Sequence, residues 1–369
     1  MKVLHVITGL DAGGAETQLA MLLRHTRHDC DVVTLYNPGP VAEQIQSNGT
    51  TVRNIGMRSN HDLGALPKLR SLIATGRYDV VHAHLYRSQI YARPAARLAR
   101  TPVVVTTEHS IGETHIERRR MTTGVRGLYL ASELFSDGTI AVSDIVRDRL
   151  IRWGVPTRKI TVIPNGLDTA ALVFDPEARA RARAQFGIAP ETFVIGTLGR
   201  LDPNKRIDMV IEAAAPLLSE RCVLLIVGRG EAMEAAEATA AKSGVADRVI
   251  FAGFQADTVA MLSAFDMYVM ASVQETFGLA ALEAMANGLP VLYTACPALD
   301  GTSTKQARQV DGTVTTLRAA FGDVIAAGPQ QRQPDDAVFG KYGIDATARQ
   351  VDQLYQRLRQ DRMKQRGLA

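Results

Sequence analysis

Short runs rich in β-branched residues alternate with helix-length amphipathic segments along nearly the whole chain, and this alternation limits the folds open to it. In the first half the strand candidates are Val3–Thr8, Asp31–Tyr36, Thr51–Ile55, Val80–Ala83, Val103–Thr107, Thr139–Val142 and Ile160–Ile163. Helical patterns over Gly14–Arg24, Leu66–Ala74, Ser88–Leu98 and Ser143–Trp153 separate most of them. The second half repeats the alternation with Phe193–Leu198, Val223–Val227, Val249–Phe251, Met267–Met270 and Val291–Tyr293. Strands read in this order need crossover helices, so the pattern predicts parallel sheets covered on both faces.

A chain of 369 residues exceeds one ordinary core and suits two domains. The alternation breaks over Leu167–Pro190, where an Arg/Ala-rich stretch follows Pro164-Asn-Gly-Leu-Asp168. That break predicts an N-terminal domain over 1–168 and a second domain over 169–345. The last segment, Tyr342–Gln360, reads as an amphipathic helix with Ile344, Val351, Leu354 and Leu358 roughly on one face, and 346–369 is the expected terminal helical unit. Two such sheets facing each other would bind ligands in a cleft at their strand C-termini. Gly328–Gln333 reads as the most flexible loop.

Composition excludes several classes. A hydrophobic fraction of 46% and a charged fraction of 22% suit a globular protein. The net charge of +4 is spread without a basic run interleaved with aromatics, so nucleic acid is not an expected partner. An anionic ligand, or weak peripheral contact with an anionic membrane surface, fits better. No segment approaches the roughly 20 apolar residues of a membrane span, and Val3–Thr8 reads as a first strand rather than a signal core. Cys30, Cys222 and Cys296 are odd in number and far apart, as expected of buried thiols in a reducing compartment. The expected location is cytoplasmic.

Chemistry concentrates in the second half. Glu275 and Glu283 stand eight residues apart in Glu275-Thr-Phe-Gly-Leu-Ala-Ala-Leu-Glu283, between two apolar strands. A helix starting near Phe277 would leave Glu275 just before its N-terminus and Glu283 about two turns in. Both carboxylates then look at one cleft, beside backbone N–H groups that favour anions. Upstream, Gly196-Thr-Leu-Gly199-Arg200-Leu-Asp-Pro-Asn-Lys205 runs a strand into a glycine turn flanked by two cations. Two cations beside a helix N-terminus suit a diphosphate. Arg and Lys near a turn are otherwise solvated, and it is the Glu275/Glu283 segment that favours the ligand reading.

In the first half, Gly9-Leu-Asp-Ala-Gly13-Gly14-Ala-Glu16 leaves a strand and enters a helix. It lacks the G-x-G-x-x-G fingerprint, which disfavours a nicotinamide cofactor. Close approach of backbone to a ligand and a plain tight turn remain equal readings of this loop. His82 and His84 alternate on a strand; without a third ligand nearby, no metal site is expected. His109 follows a buried strand and should reach the cleft rim, although as a lone residue it reads as structural or solvated. Asp29-Cys-Asp31 matches a metal-binding Asp-x-Asp only formally, because it precedes a strand. Arg118-Arg-Arg120 reads as a solvated basic loop, with contact to anionic lipid as the alternative.

Taken together, these segments resemble family 4 of the glycosyltransferases, bacterial type. The specific elements are the Gly-Gly-Ala-Glu at Gly13, Glu108-His-Ser110, Ala141-Val-Ser143, Ile163-Pro-Asn-Gly166, Gly199-Arg200…Lys205, Val227-Gly-Arg-Gly230-Glu231 and the Glu275-x7-Glu283 spacing. The resemblance implies the GT-B fold, two facing Rossmann-like domains with a C-terminal helix crossing back to the first. It implies transfer, with retention and without a metal or other cofactor, of a hexose or N-acetylhexosamine. The donor would be a nucleotide-diphosphate sugar, with UDP favoured by family frequency. The acceptor would be a lipid-linked glycan precursor or a small natural product.

By the same resemblance, Arg200 and Lys205 would hold the diphosphate and stabilise the leaving group, and Glu283 would bind the ribose hydroxyls. Glu275 would contact the donor sugar, with the backbone of Phe277, Gly278 and Leu279 nearby. Gly13, Gly14, Gly199 and Gly228 would let backbone approach the donor, and His109 would touch the donor sugar or the acceptor hydroxyl. The chain departs from the pattern at Cys296-Pro-Ala-Leu-Asp300-Gly301, where a Gly-Gly and a following Glu are common. Rival readings are a nucleotide-sugar epimerase or a phosphorylase on the same scaffold, and a non-catalytic accessory subunit that keeps a nucleotide site.

Overall fold

The structure, a computed structural model, describes residues 1–365 apart from Ala12, Asn60 and Arg118. The chain forms two compact units, residues 1–166 together with 342–369, and residues 167–341.

The first unit is built on seven parallel strands: β1 (Lys2–Ile7), β2 (Asp29–Thr34), β3 (Thr51–Asn54), β4 (Val80–His84), β5 (Val103–Glu108), then β8 (Gly138–Ala141) and β9 (Ile160–Val162). A two-stranded hairpin, β6 (His115–Ile116) and β7 (Arg119–Arg120), interrupts the series. The sheet order is β3-β2-β1-β4-β5-β8-β9. Order therefore reverses between β1 and β4, where loops leave in opposite directions and open a crevice at the strand C-termini. One face is packed by Leu4, Val6, Val81 and Val104 against Leu69, Ile73, Ala92 and Ala96 of the crossover helices. On the other face Val3, Val80, Val103 and Val105 meet Val351, Leu354 and Tyr355 of the terminal helix Ile344–Gln365. The expected return of that helix to the first domain is thus explained by its apolar stripe, which packs on this sheet face and on Leu22 of the helix Gly14–His25.

The second unit has β10 (Phe193–Leu198), β11 (Cys222–Val227), β12 (Val249–Gly253), β13 (Met267–Met270), β14 (Val291–Tyr293) and β15 (Ala307–Gln309), ordered β12-β11-β10-β13-β14-β15 and parallel throughout. Its strand order reverses between β10 and β13. The Arg/Ala-rich break in the alternation is the helix Pro176–Gln185, and it belongs to this unit. Arg179 and Arg183 both bind Asp266, each at 2.7 Å, so the arginines are anchors for the start of β13.

Three sequence readings change. The Gly328–Gln333 loop is pinned, because Arg332 donates to Asn287 Oδ1 at 2.8 Å and lies over the Phe174 ring. Of the three-arginine run, Arg118 lies outside the described residues, and Arg119 stacks over the Tyr86 ring from the hairpin instead of standing in solvent. β15 was hidden by its composition, Ala-Arg-Gln, which carries no strand propensity of its own.

Candidate functional site

In the second unit the loops leaving β10 and β13 bring together the residues that the sequence kept apart. Asp202 caps a short 3-10 turn by accepting from Asn204 N at 3.1 Å. Asn204 then clasps the loop after β13: its amide donates to Gln274 O at 2.9 Å, its Oδ1 accepts from Gln274 N at 3.1 Å, and its carbonyl accepts from Val273 N at 2.8 Å. The clasp sets the neighbouring residues side by side, and Lys205 Nζ donates to Glu275 Oε1 at 2.6 Å. Sequence reading gave Asn204 no role. Its signal is only its place next to Lys205.

Arg200 is half-buried on the same loop and makes no ion pair or side-chain hydrogen bond among the described residues. It therefore offers an uncompensated guanidinium next to Gly199, whose φ of 145° directs the turn and above which a Cβ would meet nothing within 4 Å. Gly228 has a different reason to be glycine. A Cβ there would stand 1.8 Å from Gly199 O, so the turns after β10 and β11 can only touch if it is absent.

The helix carrying Glu283 is Leu279–Ala286, starting two residues later than expected. Gly278, at φ 97°, is its N-cap, so Glu283 sits little more than one turn in. Burial pushes the Glu283 carboxyl up to about 7, and the nearby Tyr268 hydroxyl is held well above its ordinary value, also chiefly by burial. Glu283 keeps part of its surface, but its carboxyl group is largely out of water, which is the part that sets its ionisation.

Directly beneath the helix start lies the atypical Cys296–Gly301 segment. Cys296 Sγ is where a Gly278 Cβ would go, 2.3 Å away, and Ala298 N donates to Phe277 O at 2.9 Å. The segment is thus the floor on which the Gly278 turn rests. The Cys296 thiol, pushed up to about 12 by burial, is inert packing.

In the first unit, Gly13 is the extended N-cap of the helix Gly14–His25, and a Cβ on Gly14 would meet nothing within 4 Å. Packing alone does not require glycine at 14. At the β1/β4 switch point three imidazoles gather, because His5 pairs in register with His82, and His84 follows two residues on. The missing third partner of His82 and His84 is therefore His5, and the three offer ring nitrogens within 4.8 Å of one another.

Those nitrogens are already engaged. His82 binds the Tyr355 hydroxyl through Nδ1 and the Thr107 hydroxyl through Nε2, each at 2.6 Å. His84 Nε2 meets His5 Nδ1 at 3.0 Å, and its Nδ1 meets His109 Nε2 at 3.3 Å. A metal would have to displace several of these bonds, so the donor set as folded suits a hydrogen-bond network.

Burial lowers all four imidazoles, His5 to about 3, His109 to about 4, and His82 and His84 well below the ordinary value. Neutral rings in a row can each donate only once, so the tautomer of His5 fixes that of His84 and hence of His109. His109 itself is placed by Glu108, a buried carboxylate that accepts from Ser110 N at 2.9 Å and Ser110 Oγ at 3.2 Å and so closes the turn after β5. Leu85, with φ 71°, ends β4 in a conformation rare for a branched side chain, directly after His84. Asp29 and Asp31 open β2, at the sheet edge opposite the strand C-termini, and Asp31 accepts from the Tyr78 hydroxyl at 2.6 Å. They are structural.

Comparison with known proteins matches residues 12–171 to the model of Glycosyltransferase Family 4 and residues 192–325 to that of Glycosyl transferases group 1. An Escherichia coli UDP-Gal:alpha-D-GlcNAc-diphosphoundecaprenol alpha-1,3-galactosyltransferase is 29% identical over 251 residues, 66% of this chain and 64% of that protein. A D-inositol 3-phosphate glycosyltransferase of Acidothermus cellulolyticus is 29% identical over 356 residues, 86% of this chain and 75% of that protein. Among solved structures, Anabaena HepE in complex with UDP and glucose superposes with a TM-score of 0.83 at 22% identity, covering 96% of this chain and 99% of that one. The WaaG glycosyltransferase of lipopolysaccharide biosynthesis superposes with a TM-score of 0.68 at 17% identity, covering 98% of each chain. The loop after β4 and the switch-point loops of the second unit fall within these segments, which together span most of the chain, and on these grounds the chain is a glycosyltransferase of the family 4 type with the GT-B fold.

Proposed function

We propose that the chain transfers a hexose or N-acetylhexosamine from a nucleotide-diphosphate sugar to a hydroxyl of a lipid-linked glycan precursor or a small natural-product acceptor, with retention and without a metal. The observation that carries the reading is the Asn204-clasped Lys205–Glu275 pair beside the uncompensated Arg200, at the strand-end crevice of the second unit. UDP is the favoured nucleotide, since HepE was solved with UDP and UDP-glucose and the Escherichia coli relative is named for a UDP-Gal donor. The acceptor class rests on relatives named for a diphosphoundecaprenol-linked sugar and for inositol 3-phosphate.

In this reading Arg200 and Lys205 neutralise the diphosphate as the bond from the sugar C1 to the phosphate oxygen breaks. Preorganised cations in a site that excludes water are worth far more than in bulk solution. Glu275 holds Lys205 and meets the sugar hydroxyls, and Glu283 accepts from the ribose hydroxyls. The new bond forms between C1 and the acceptor oxygen on the face the phosphate leaves, and the acceptor proton passes to the leaving phosphate oxygen. No protein base is needed. His109 orients the reacting hydroxyl as a neutral donor or acceptor.

No helix among the described residues is long and apolar enough to cross a membrane. We place the enzyme in the cytoplasm, with peripheral contact to the inner membrane face where the acceptor is lipid-linked. A panel of nucleotide sugars screened by thermal shift tests the donor. A ligand at about 100 Kd adds about 2.7 kcal/mol, and stabilisation by UDP-sugars that persists in EDTA is the expected result. Stabilisation only with Mg²⁺ or Mn²⁺ would contradict the metal-free reading.

A further inference from the structure

A buried side chain that the proposed chemistry does not use points into the first unit's crevice. Gln18, on the helix Gly14–His25, is only 5% exposed, and neither its amide oxygen nor its nitrogen has a hydrogen-bond partner. Gln18 lines a cavity of about 30 Å³ whose other polar residues are His82, His84, Thr107, His109, Asn165 and Thr347. A buried primary amide left wholly unpaired is costly, and the usual explanation is a polar group that enters the space.

The wall restricts what can enter. It contains no Asp, Glu, Lys or Arg, so a phosphate, a carboxylate or an ammonium would find no counter-charge there. The volume is roughly that of one water molecule, enough for a hydroxyl and too small for a sugar ring. Gln18 lies four residues after Gly14, hence on the same helix face, and helical side chains lean toward the N-terminus. The half-buried His109, Pro164 and Asn165 form the rim of the same notch.

We propose that Gln18 is a specificity-determining residue, its amide together with His109 and Asn165 taking one uncharged hydroxyl of a polyol or sugar acceptor. The inference rests on the proposed transfer for its meaning, but the notch can be tested without turnover. The Gln18 side-chain amide signal, assigned by its loss in Gln18→Met, is followed by NMR while myo-inositol, methyl α-glucopyranoside or inorganic phosphate is titrated in. Saturable shifts with a polyol and none with phosphate are expected. Absence of a shift with both polyols, or an equal shift with phosphate, would overturn the assignment and leave only water as the occupant.

Gln18→Met removes the unpaired amide at nearly constant volume. It should leave the Tm of the ligand-free protein unchanged or raised, and abolish polyol binding. A marked fall in Tm would instead show that Gln18 serves the fold. Binding of UDP-glucose by calorimetry, measured in parallel, separates this inference from the broader one. Its loss in wild type would sink the transferase reading while the polyol titration still decides the notch. Where transfer is measurable, Gln18→Met should raise the acceptor KM about tenfold and leave the donor KM alone.

Discussion

Lys205 and Glu275, 70 residues apart in sequence, meet through a 2.6 Å hydrogen bond at the end of the second unit's central strands. The bond is partly exposed, so its contribution to stability is small. Its consequence is positional. A lysine ammonium on four methylenes would otherwise sweep a wide volume, and here it is fixed before any ligand arrives.

Asn204 makes that fixing possible through its bonds to Gln274 and Val273. Asn204→Ala removes two hydrogen bonds that join the loops and frees Lys205 and Glu275 from each other. The expected result is a fall in kcat of about tenfold, in the range of a misplaced catalytic group, with a smaller change in donor KM. A change in KM alone would assign Asn204 to binding.

If it holds the ribose as proposed, Glu283 makes donor affinity depend on pH. Its carboxyl, pushed up to about 7 in the folded protein, is largely protonated at pH 6 and ionised at pH 8. An ionised carboxylate is the better acceptor for ribose hydroxyls, and the diphosphate diester of a nucleotide sugar does not titrate in that window. Affinity for UDP-glucose should therefore rise from pH 6 to pH 8 in wild type, and calorimetry should find this dependence flattened in Glu283→Gln. The sign for stability is opposite. Since the folded-state pKa lies above the unfolded one, the folded protein binds the extra proton between about 4.5 and 7, so stability contributed by Glu283 is lost as pH rises through that window, by at most about 3 kcal/mol.

Two glycines should separate fold from function. Gly228→Ala puts a methyl 1.8 Å from Gly199 O at a φ of 138°, and should lower the Tm by several degrees whether or not ligand is present. Gly14→Ala meets open space at a helix N-terminus and should leave the Tm unchanged or slightly raised. If the loop approaches the diphosphate as proposed, the same change weakens donor binding. Unaltered donor affinity in Gly14→Ala would leave that loop as a turn.

Much of this was legible in the chain because strands and helices announce themselves by period. Met267–Met270 and Val291–Tyr293 were read with their observed limits, and between them the Glu275–Glu283 spacing marked the site. The helix start was misplaced by two residues because Phe277 is apolar and helix-compatible. Its 2% exposure comes instead from packing under the Gly278 turn. His5 was invisible as a partner of His84, since register between β1 and β4 depends on a crossover of more than 70 residues that no local pattern records. Nothing in the sequence around Gln18 sets it apart from other polar helix positions. Only burial without a partner distinguishes it.

The central claim is that the Lys205–Glu275 pair stabilises charge on the leaving diphosphate. Its most direct test is the initial rate of UDP-sugar turnover by Lys205→Ala and Glu275→Gln, with folding checked by thermal melts. The account predicts a loss of about 10²-fold or more for each, as for removal of a preorganised electrostatic group, and a double variant little worse than either single one. Near-wild-type turnover by both well-folded variants would contradict it.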